Sequence, residues 1–346
     1  MGMRWQTQER YFRNQLAQVL RIPMVGQVHF AAAEGSSTNL YDEWLRTEMD
    51  VPAELMHTGN GAIDEAYDNC SAYRNDVVLI APGNYVRTAS KTLDKSSTHL
   101  VTLGGPNQRH CPTTATAGAV RVYCATTSID SIYNITGDYV QIHGLQTMNT
   151  FSHNANRCDW LITGKNTYMR HIRPRGGNGA DQLNHGDGGV PIIVATGTAG
   201  AGNGLTVEDS FIGSAGNNAR SVGPGAVLFE GGTANASFAP VFRRCTFEMR
   251  NETNTTASML IHLANADYSV DRYLLFDDCF FYNFWANQGG KPPAVIVDAC
   301  TTTHEILIKN CSQYGFDAWV DDTTFTFTSS PIANVDGGEM IAVSVS

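Results

Sequence analysis

The sequence has few charged residues and lacks any cluster of basic ones. Asp, Glu, Lys and Arg together make up 16% of its 346 residues, and the formal net charge is −10. Because proteins bind nucleic acid largely through clustered Lys and Arg side chains, a nucleic-acid partner is not expected. The rest of the composition, rich in Gly, Ser, Thr and Asn, favours strands and tight turns over long helices.

Long apolar runs are also missing. No stretch approaches the roughly 18 apolar residues of a membrane-spanning helix, so no membrane partner is expected. The first 22 residues contain Arg4, Glu9, Arg10, Arg13 and Arg21, where a secretory signal peptide has an unbroken apolar segment. We therefore expect no Sec signal peptide.

The eight cysteines lack the spacing of a metal site. No Cys-x-x-Cys pair occurs, and no group of His and Cys residues has zinc-site spacing. Without an export signal, these cysteines are expected to be mostly reduced thiols. The sequence therefore predicts neither a metal site nor a cofactor.

What the sequence does contain is a repeat of about 34 residues. Four segments follow the pattern apolar, polar, corner, small, any, apolar, at positions 207–212, 242–247, 276–281 and 308–313. A second series of short apolar segments keeps the same period, at 191–194, 226–229, 259–262 and 294–297. Short strands that recur with one period bury their apolar faces only by stacking on the next turn. The repeat predicts an all-β fold, a right-handed parallel β-helix.

Equivalent positions of successive coils are expected to form ladders along the solenoid. Asp209, Asp278 and Asn310 fall at the corner, where Asn and Asp tolerate left-handed backbone. The small residues after the corner predict an inward ladder, whose members are Ser210, Cys245, Cys279 and Cys311. The polar residues before it predict an outward ladder of alternating charge, whose members are Arg170, Glu208, Arg243, Asp277 and Lys309.

Four regions follow from this pattern. Residues 1–58 are predicted to form a helical arm and linker for docking or oligomerisation, although packing of the helix on the solenoid is an open alternative. Residues 59–75 are predicted to be a capping helix, because a solenoid exposes its core at each end. The β-helix follows over 76–330, with a closing strand over 331–346.

Two segments of the sequence show a resemblance to a known family. A capping helix that leads into Val-Val-Leu-Ile-Ala-Pro-Gly-Asn-Tyr (77–85), followed by coils of the type Phe-Asp-Asp-Cys-Phe-Phe (276–281), resembles the pectate-lyase-like superfamily. Within it, the chain looks most like the β-helix proteins of bacteriophage particles, which form spikes, fibres or capsid decorations. The resemblance implies a homotrimeric virion protein assembled in the host cytoplasm. Its N-terminal arm would contact other virion proteins, and its surface would bind a host glycan.

The enzymatic alternative is a polysaccharide lyase or hydrolase. Glu230 and Asp298 are expected at equivalent positions two coils apart, about 10 Å from each other, which is marginal for an inverting pair. The adjacent acids Asp277-Asp278 and Asp321-Asp322 point to opposite faces of a strand. The polar cluster at 184–189 is typical of a loop. The motifs of polygalacturonases are missing, and alternating charges disfavour the calcium site of pectate lyases. The sequence therefore favours a protein without catalytic residues.

Two outward aromatic residues are the candidate binding site. Phe211 and Phe280 follow corner positions and are expected to lie on the outer surface. They would bind a glycan, or they would lie in an interface between subunits, since large apolar side chains on an outer face are typical of interfaces.

Overall fold

The computed structural model describes most of the chain. The described residues are 3–33, 43, 45–47, 49–104, 119–124, 129–149, 157–177, 189–194, 201–213, 223–231, 237–250, 258–264, 270–284, 292–300, 304–322 and 341–345. No helix among them is both long and apolar enough to span a membrane.

Among the described residues, two helices and 28 strands have defined bounds. The helices are α1 (Met3–Leu20) and α2 (Ala62–Asn69), with a short 3-10 turn at Ala53–Leu55. The strands are β1 (Val28–Ala32), β2 (Met56–Thr58), β3 (Asp76–Ile80), β4 (Gly83–Val86), β5 (Lys91–Leu93), β6 (Thr98–Thr102), β7 (Val120–Cys124), β8 (Ser131–Ile135), β9 (Gln141–His143), β10 (Gln146–Asn149), β11 (Cys158–Ile162), β12 (Tyr168–Arg170), β13 (Arg173–Pro174), β14 (Val190–Val194), β15 (Thr206–Glu208), β16 (Phe211–Gly213), β17 (Gly223–Phe229), β18 (Ser237–Phe238), β19 (Val241–Arg243), β20 (Thr246–Met249), β21 (Ser258–Leu263), β22 (Val270–Asp277), β23 (Phe280–Asn283), β24 (Ala294–Asp298), β25 (His304–Lys309), β26 (Ser312–Tyr314), β27 (Ala318–Asp322) and β28 (Ile341–Val345).

The strands form three lateral faces of a parallel β-helix. Sheet 1 runs in the order β2-β1-β3-β6-β9-β12-β15-β19-β22-β25-β28. Sheet 2 has two four-stranded parts, β4-β7-β10-β13 and β16-β20-β23-β26, and the Phe211 amide joins them by donating to the Ile172 carbonyl over 3.0 Å. Sheet 3 runs β5-β8-β11-β14-β17-β21-β24-β27. Each complete coil places one strand in each sheet, which confirms the predicted fold class.

The register of sheet 1 is the one that the repeat predicts. Val207 pairs with Phe242, Phe242 with Phe276, and Phe276 with Ile308. The weaker upstream coils continue it, because Ile142 pairs with Met169 and Met169 with Val207. One inward ladder thus extends from β9 to β25.

Left-handed backbone turns the chain at the corner between sheets 1 and 2. Asp209, Asp278 and Asn310 have φ angles of 50°, 57° and 52°, as predicted for Asp and Asn. Arg244 and His171 adopt the same conformation at the equivalent corners, with φ angles of 50° and 52°.

The small residues after the corners are hydrogen-bond donors, of which Ser210, Cys245 and Cys279 are buried and Cys311 is partly buried. Each donates across its corner to the carbonyl oxygen two residues earlier. The distances are 2.6 Å for Ser210, 3.3 Å for Cys245, 3.5 Å for Cys279 and 3.1 Å for Cys311. The seven cysteines in the described ranges are all free thiols, whereas Cys111 lies outside those ranges.

The outward charges form the predicted ion-pair ladder. Arg243 lies 3.5 Å from Glu208 and 3.8 Å from Asp277, and Lys309 lies 3.7 Å from Asp277. Arg170 instead pairs with the corner residue Asp209, at 2.8 Å. The outer face of sheet 1 thereby neutralises much of its own charge.

Two segments of the region predicted to be an arm and linker (residues 1–58) are strands of the sheet, Val28–Ala32 and Met56–Thr58, so the prediction of a linker was wrong for them. β1 lies between β2 and β3 and pairs in parallel with both. The sheet therefore begins before Asp76. The 34-residue repeat does not include β1, which joins the sheet by pairing with β2 and β3.

The helix α1 packs on the outer face of sheet 1. Its Leu16 and Leu20 are buried in a cluster that includes Val77, Leu79 and Val101. The helix was predicted either to form a docking or oligomerisation arm or to pack on the solenoid. Its C-terminal half packs on the solenoid. The Phe12 ring also lies 6.1 Å from the Phe30 ring of β1.

The two ends of the solenoid are covered differently. At the N-terminal end, α2 buries Ile63, Ala66 and Tyr67 in the same core cluster as Val78 and Ile80. At the C-terminal end, β28 pairs antiparallel with β25. An antiparallel last strand interrupts the parallel stacking there.

Candidate functional site

The exposed aromatic residues of the C-terminal coils gather on sheet 2. Because successive strand residues point to opposite faces, Phe281 and Asn283 of β23 point into the core, while Phe280 and Tyr282 point outwards. In the next coil, Tyr314 is the register partner of Tyr282. Phe284 follows directly after β23.

These four residues form a continuous patch, called here the aromatic face (Phe280, Tyr282, Phe284 and Tyr314). The rings of Tyr282 and Tyr314 are stacked, with centroids 5.6 Å apart. The rings of Phe280 and Tyr282 are also stacked, with centroids 5.9 Å apart. Phe284 meets Tyr282 edge to face at 6.3 Å. The exposed fractions are 39% for Phe280, 50% for Phe284 and 43% for Tyr314, so the patch is accessible.

The structure does not bring the two predicted binding residues together. Phe211 and Phe280 lie on one outward ladder, with Thr246 between them. The Arg173 guanidinium lies over the half-buried Phe211 ring, 5.1 Å from its centroid. Only Phe280 therefore belongs to the aromatic face.

Sequence reasoning missed three members of this face, although signals for them existed. Phe280, Tyr282 and Phe284 alternate with period two, which is typical of one face of a strand. Tyr314 lies 32 residues after Tyr282, the spacing of the last two corners.

The candidate catalytic pair of Glu230 and Asp298 is wrong, because the two residues are not equivalent. Asp298 pairs with Leu263, and Leu263 pairs with Phe229. The predicted alignment of 226–229 with 259–262 was off by one residue, because the structure pairs Val227 with Ile261 and Phe229 with Leu263. Asp298 is fully buried, whereas Glu230 forms an ion pair with Arg157.

The other acidic candidates do not form a pair either. Asp277 belongs to the ion-pair ladder, and Asp278 occupies an exposed corner. Asp321 is half-buried in β27, while the side chain of Asp322 and the polar cluster 184–188 lie outside the described residues.

Asp159 is a fully buried carboxyl group that holds a turn. It accepts hydrogen bonds from the Asn149 amide (2.8 Å), the Arg175 and Gly176 amides (2.9 Å each) and the Thr147 hydroxyl (3.0 Å). Burial raises the pKa of Asp159 to about 6, although these hydrogen bonds act in the opposite direction. Because the Asp159 carboxyl group is inaccessible and already accepts four hydrogen bonds, we assign it a structural role.

A buried polar cluster lies near the C-terminal end. Asp298 occupies a ladder that is aliphatic or aromatic in the coils before it, at Val194, Phe229 and Leu263. The His304 imidazole lies 2.8 Å from one oxygen of Asp298, and the Cys300 amide donates to the other over 2.9 Å. The imidazole and the amide thus offset the burial of the carboxylate.

A second buried cluster lies at the N-terminal end, under α2. The ligand atoms of His29, Cys70 and Asp76 lie within 4.8 Å of one another. Burial, together with His57, lowers the pKa of His29 to about 4, and burial raises the pKa of the Cys70 thiol to about 12. Both groups are therefore neutral near pH 7. Spacing alone did not suggest this cluster, because its members lie up to 47 residues apart.

No protein-family model and no curated protein matches this sequence. Among solved structures, the chain is similar to the ORF18 protein of Geobacillus virus E2, with a TM-score of 0.40 and 15% identity over 76% of this chain and 56% of the viral chain. It is similar to a pectin methylesterase mutant in complex with a hexasaccharide, with a TM-score of 0.36 and 10% identity over 87% and 91% of the two chains. It is also similar to PfbA, a surface adhesin of Streptococcus pneumoniae, with a TM-score of 0.24 and 10% identity over 83% and 95%. This chain spans little more than half of the length of the viral protein. The fold of this chain is assigned from its own strand register.

Proposed function

We propose that this chain is a non-enzymatic structural protein of a bacteriophage particle, whose β-helix bodies associate side by side as a homotrimer. The observation that carries the association is the aromatic face. The assignment to a phage particle is supported by the resemblance of residues 77–85 and 276–281 to phage β-helix proteins.

The aromatic face has the chemistry of a protein interface. Eight large hydrophobic side chains are exposed in the described ranges, and three of them, Phe280, Phe284 and Tyr314, share this one patch. Contiguous exposed apolar patches mark interaction sites, and interface cores are enriched in Phe and Tyr. Burial of the exposed part of each ring between subunits would favour association through the hydrophobic effect.

A second copy of the chain is the occupant that fits best. The face lies on a lateral sheet, so three parallel bodies around one axis would each bury the same patch, and closed symmetry of this kind is typical of homo-oligomers. The ion-pair ladder of sheet 1 is already satisfied within the chain and gives no comparable reason to associate.

Attachment to other virion proteins is assigned to the N-terminal region. While α1 buries Leu16 and Leu20, its Tyr11 and Val19 remain exposed. These exposed residues support a docking role for a helix that is itself fixed to the solenoid. The particle would be assembled in the host cytoplasm.

The native mass of the full-length chain tests the association. We expect three times the monomer mass of 37.6 kDa. The double variant Phe280→Ser/Phe284→Ser is expected to be monomeric, because truncating a central aromatic residue costs about 2 kcal/mol or more, over tenfold in dissociation constant. Tyr139→Ser, which removes an exposed aromatic residue elsewhere, is the matched control and is expected to remain trimeric.

Three outcomes would contradict the proposal. A monomeric wild type would remove the basis for a trimer, and cleavage of polyuronate with or without calcium would instead favour the enzyme. Host glycan binding that is lost in the double variant, with the native mass unchanged, would assign the aromatic face to a glycan.

A further inference from the structure

The N-terminal end of the solenoid contains a group of polar side chains that the proposed function does not use. β1 places His29 on its inward face, α2 ends at Asn69 directly before Cys70, and β3 begins with Asp76. All three side chains are buried, with exposed fractions of 5% or less. Three separate segments thus meet at one point beneath the cap.

His29 is the unusual member of this group. Its side chain is 3% exposed, yet neither Nδ1 nor Nε2 has a hydrogen-bond partner in the described structure. A neutral imidazole has one donor and one acceptor, and leaving buried polar groups unpaired is costly. The fold therefore places an imidazole with two unpartnered ring nitrogens, a common metal ligand, in an enclosed polar space.

A second imidazole lies beside it. The ring centroids of His29 and His57 are 5.7 Å apart, and Nε2 of His57 is likewise buried without a partner. His57 pairs with Ala31 in the sheet, which places both imidazoles on the same inward face two residues apart in register.

We propose that His29, Cys70 and Asp76 form a binding site for a divalent transition-metal cation of the zinc type. Nitrogen, thiolate and carboxylate ligands in a four-coordinate arrangement are what Zn²⁺ prefers. On binding, the Cys70 thiol releases its proton to solvent and breaks its 3.4 Å hydrogen bond to the Ala66 carbonyl. The cation is then neutralised by one thiolate and one carboxylate.

The existing contacts permit this arrangement. Metal–ligand distances of about 2.0–2.3 Å place the ligand atoms of a tetrahedral site between 3 and 4 Å apart, so from 4.8 Å each side chain moves by less than about 1 Å. Asp76 accepts bonds from Arg74 and from the Gln27 and Ser71 amides. The Arg74 side chain is half exposed, so it can swing into solvent and release a carboxylate oxygen.

The bound cation would fasten the cap to the solenoid. Cys70 closes α2, and His29 and Asp76 belong to two paired strands of sheet 1. One ion would therefore link the helix to both strands. Because the cation binds the folded arrangement only, it would stabilise the N-terminal end, and this stabilisation would rise with the logarithm of the cation concentration above Kd.

Cobalt substitution tests the site in the full-length chain, purified without a histidine tag. Co²⁺ added to the metal-free protein is expected to bind at one equivalent per chain, with a thiolate-to-cobalt charge-transfer band and the visible spectrum of tetrahedral Co²⁺. Zn²⁺ is expected to displace it and to raise Tm. Cys70→Ser and His29→Gln are expected to weaken binding by more than the roughly 10–100-fold that loss of an outer hydrogen-bond partner costs.

Cys300→Ser is the matched control, because Cys300 belongs to the other buried His–Cys–Asp cluster. It is expected to leave the cobalt spectrum unchanged. Two results would overturn the proposal, namely a wild-type spectrum without the thiolate band, or a band that survives Cys70→Ser and disappears in Cys300→Ser. The wild-type spectrum by itself shows whether a thiolate binds the cation, even if the Cys70 and His29 variants fail to fold.

Discussion

Single residues at the corners set the path of the chain. Asp209, Asp278 and Asn310 adopt left-handed backbone, which Asp and Asn tolerate better than most other residues with a side chain. Arg244 adopts the same conformation without that advantage and instead pairs with Asp209 at 2.6 Å. The hydrogen bond from Arg244 in turn lowers the pKa of Asp209. A corner is therefore specified by chemistry that differs from coil to coil.

The buried carboxyl of Asp159 predicts a pH dependence of stability. Burial raises its pKa to about 6, above the value of about 3.9 for an unfolded chain. An acid with a raised pKa contributes most below pH 4 and loses its contribution as the pH rises through 6. We expect Asp159 to contribute about 2 kcal/mol less to the free energy of unfolding at pH 7 than at pH 4.

Urea unfolding of the wild type and of Asp159→Asn at several pH values measures this contribution. The difference in free energy of unfolding between the two proteins cancels the titration of other groups. It is expected to decrease between pH 4 and pH 7. An increase over that range would mean that the four hydrogen bonds outweigh burial and keep the carboxylate ionised.

At the scale of strands, aromatic stacking links one coil to the next. Phe247 and Phe281 stack with centroids 4.8 Å apart, and Phe242 and Phe276 stack at 5.4 Å. Edge-to-face contacts join the two stacks, with Phe247 5.7 Å from Phe276. β19, β20, β22 and β23 therefore share one aromatic core.

Truncation of this core is expected to be costly. Phe247 is fully buried, so Phe247→Ala is expected to lower the free energy of unfolding by about 3–5 kcal/mol through lost burial and a cavity. Phe247→Leu, which keeps most of the apolar volume, is expected to lose less than half as much. Equal losses in the two variants, measured by urea unfolding, would show that stacking and not volume determines the cost.

At the scale of the whole molecule, α1 has one side packed on the solenoid and another side exposed to solvent. Leu16 and Leu20 hold it to sheet 1, while Tyr11 and Val19 point away. Leu16→Ala/Leu20→Ala is expected to cost at least about 2 kcal/mol of local stability and to increase hydrogen exchange in α1. Tyr11→Ala/Val19→Ala is expected to leave exchange unchanged but to reduce incorporation into particles.

The two double variants separate packing from docking. If the exposed-side variant is incorporated normally, the docking role of α1 is wrong and its packing on the solenoid is its whole contribution. If the buried-side variant exchanges like the wild type, the contact with Val77, Leu79 and Val101 does not hold the helix.

The sequence by itself determined the features that repeat. The period, the corner residues and the inward and outward ladders of residues 207–313 all follow from which side chains recur about every 34 residues. They are readable because a solenoid coil contacts mainly its neighbours, so local pattern and tertiary contact coincide.

Only the tertiary structure decided the features that break the repeat. The register between β17 and β21 differs by one residue from the alignment of their apolar segments, so Glu230 and Asp298 are not equivalent, and Asp298 is buried in the core. β1 and β2 joined sheet 1 through pairing with β3. His29, Cys70 and Asp76 met because α2 folds over the end of the solenoid, and side chains so distant in sequence are brought together by that packing alone.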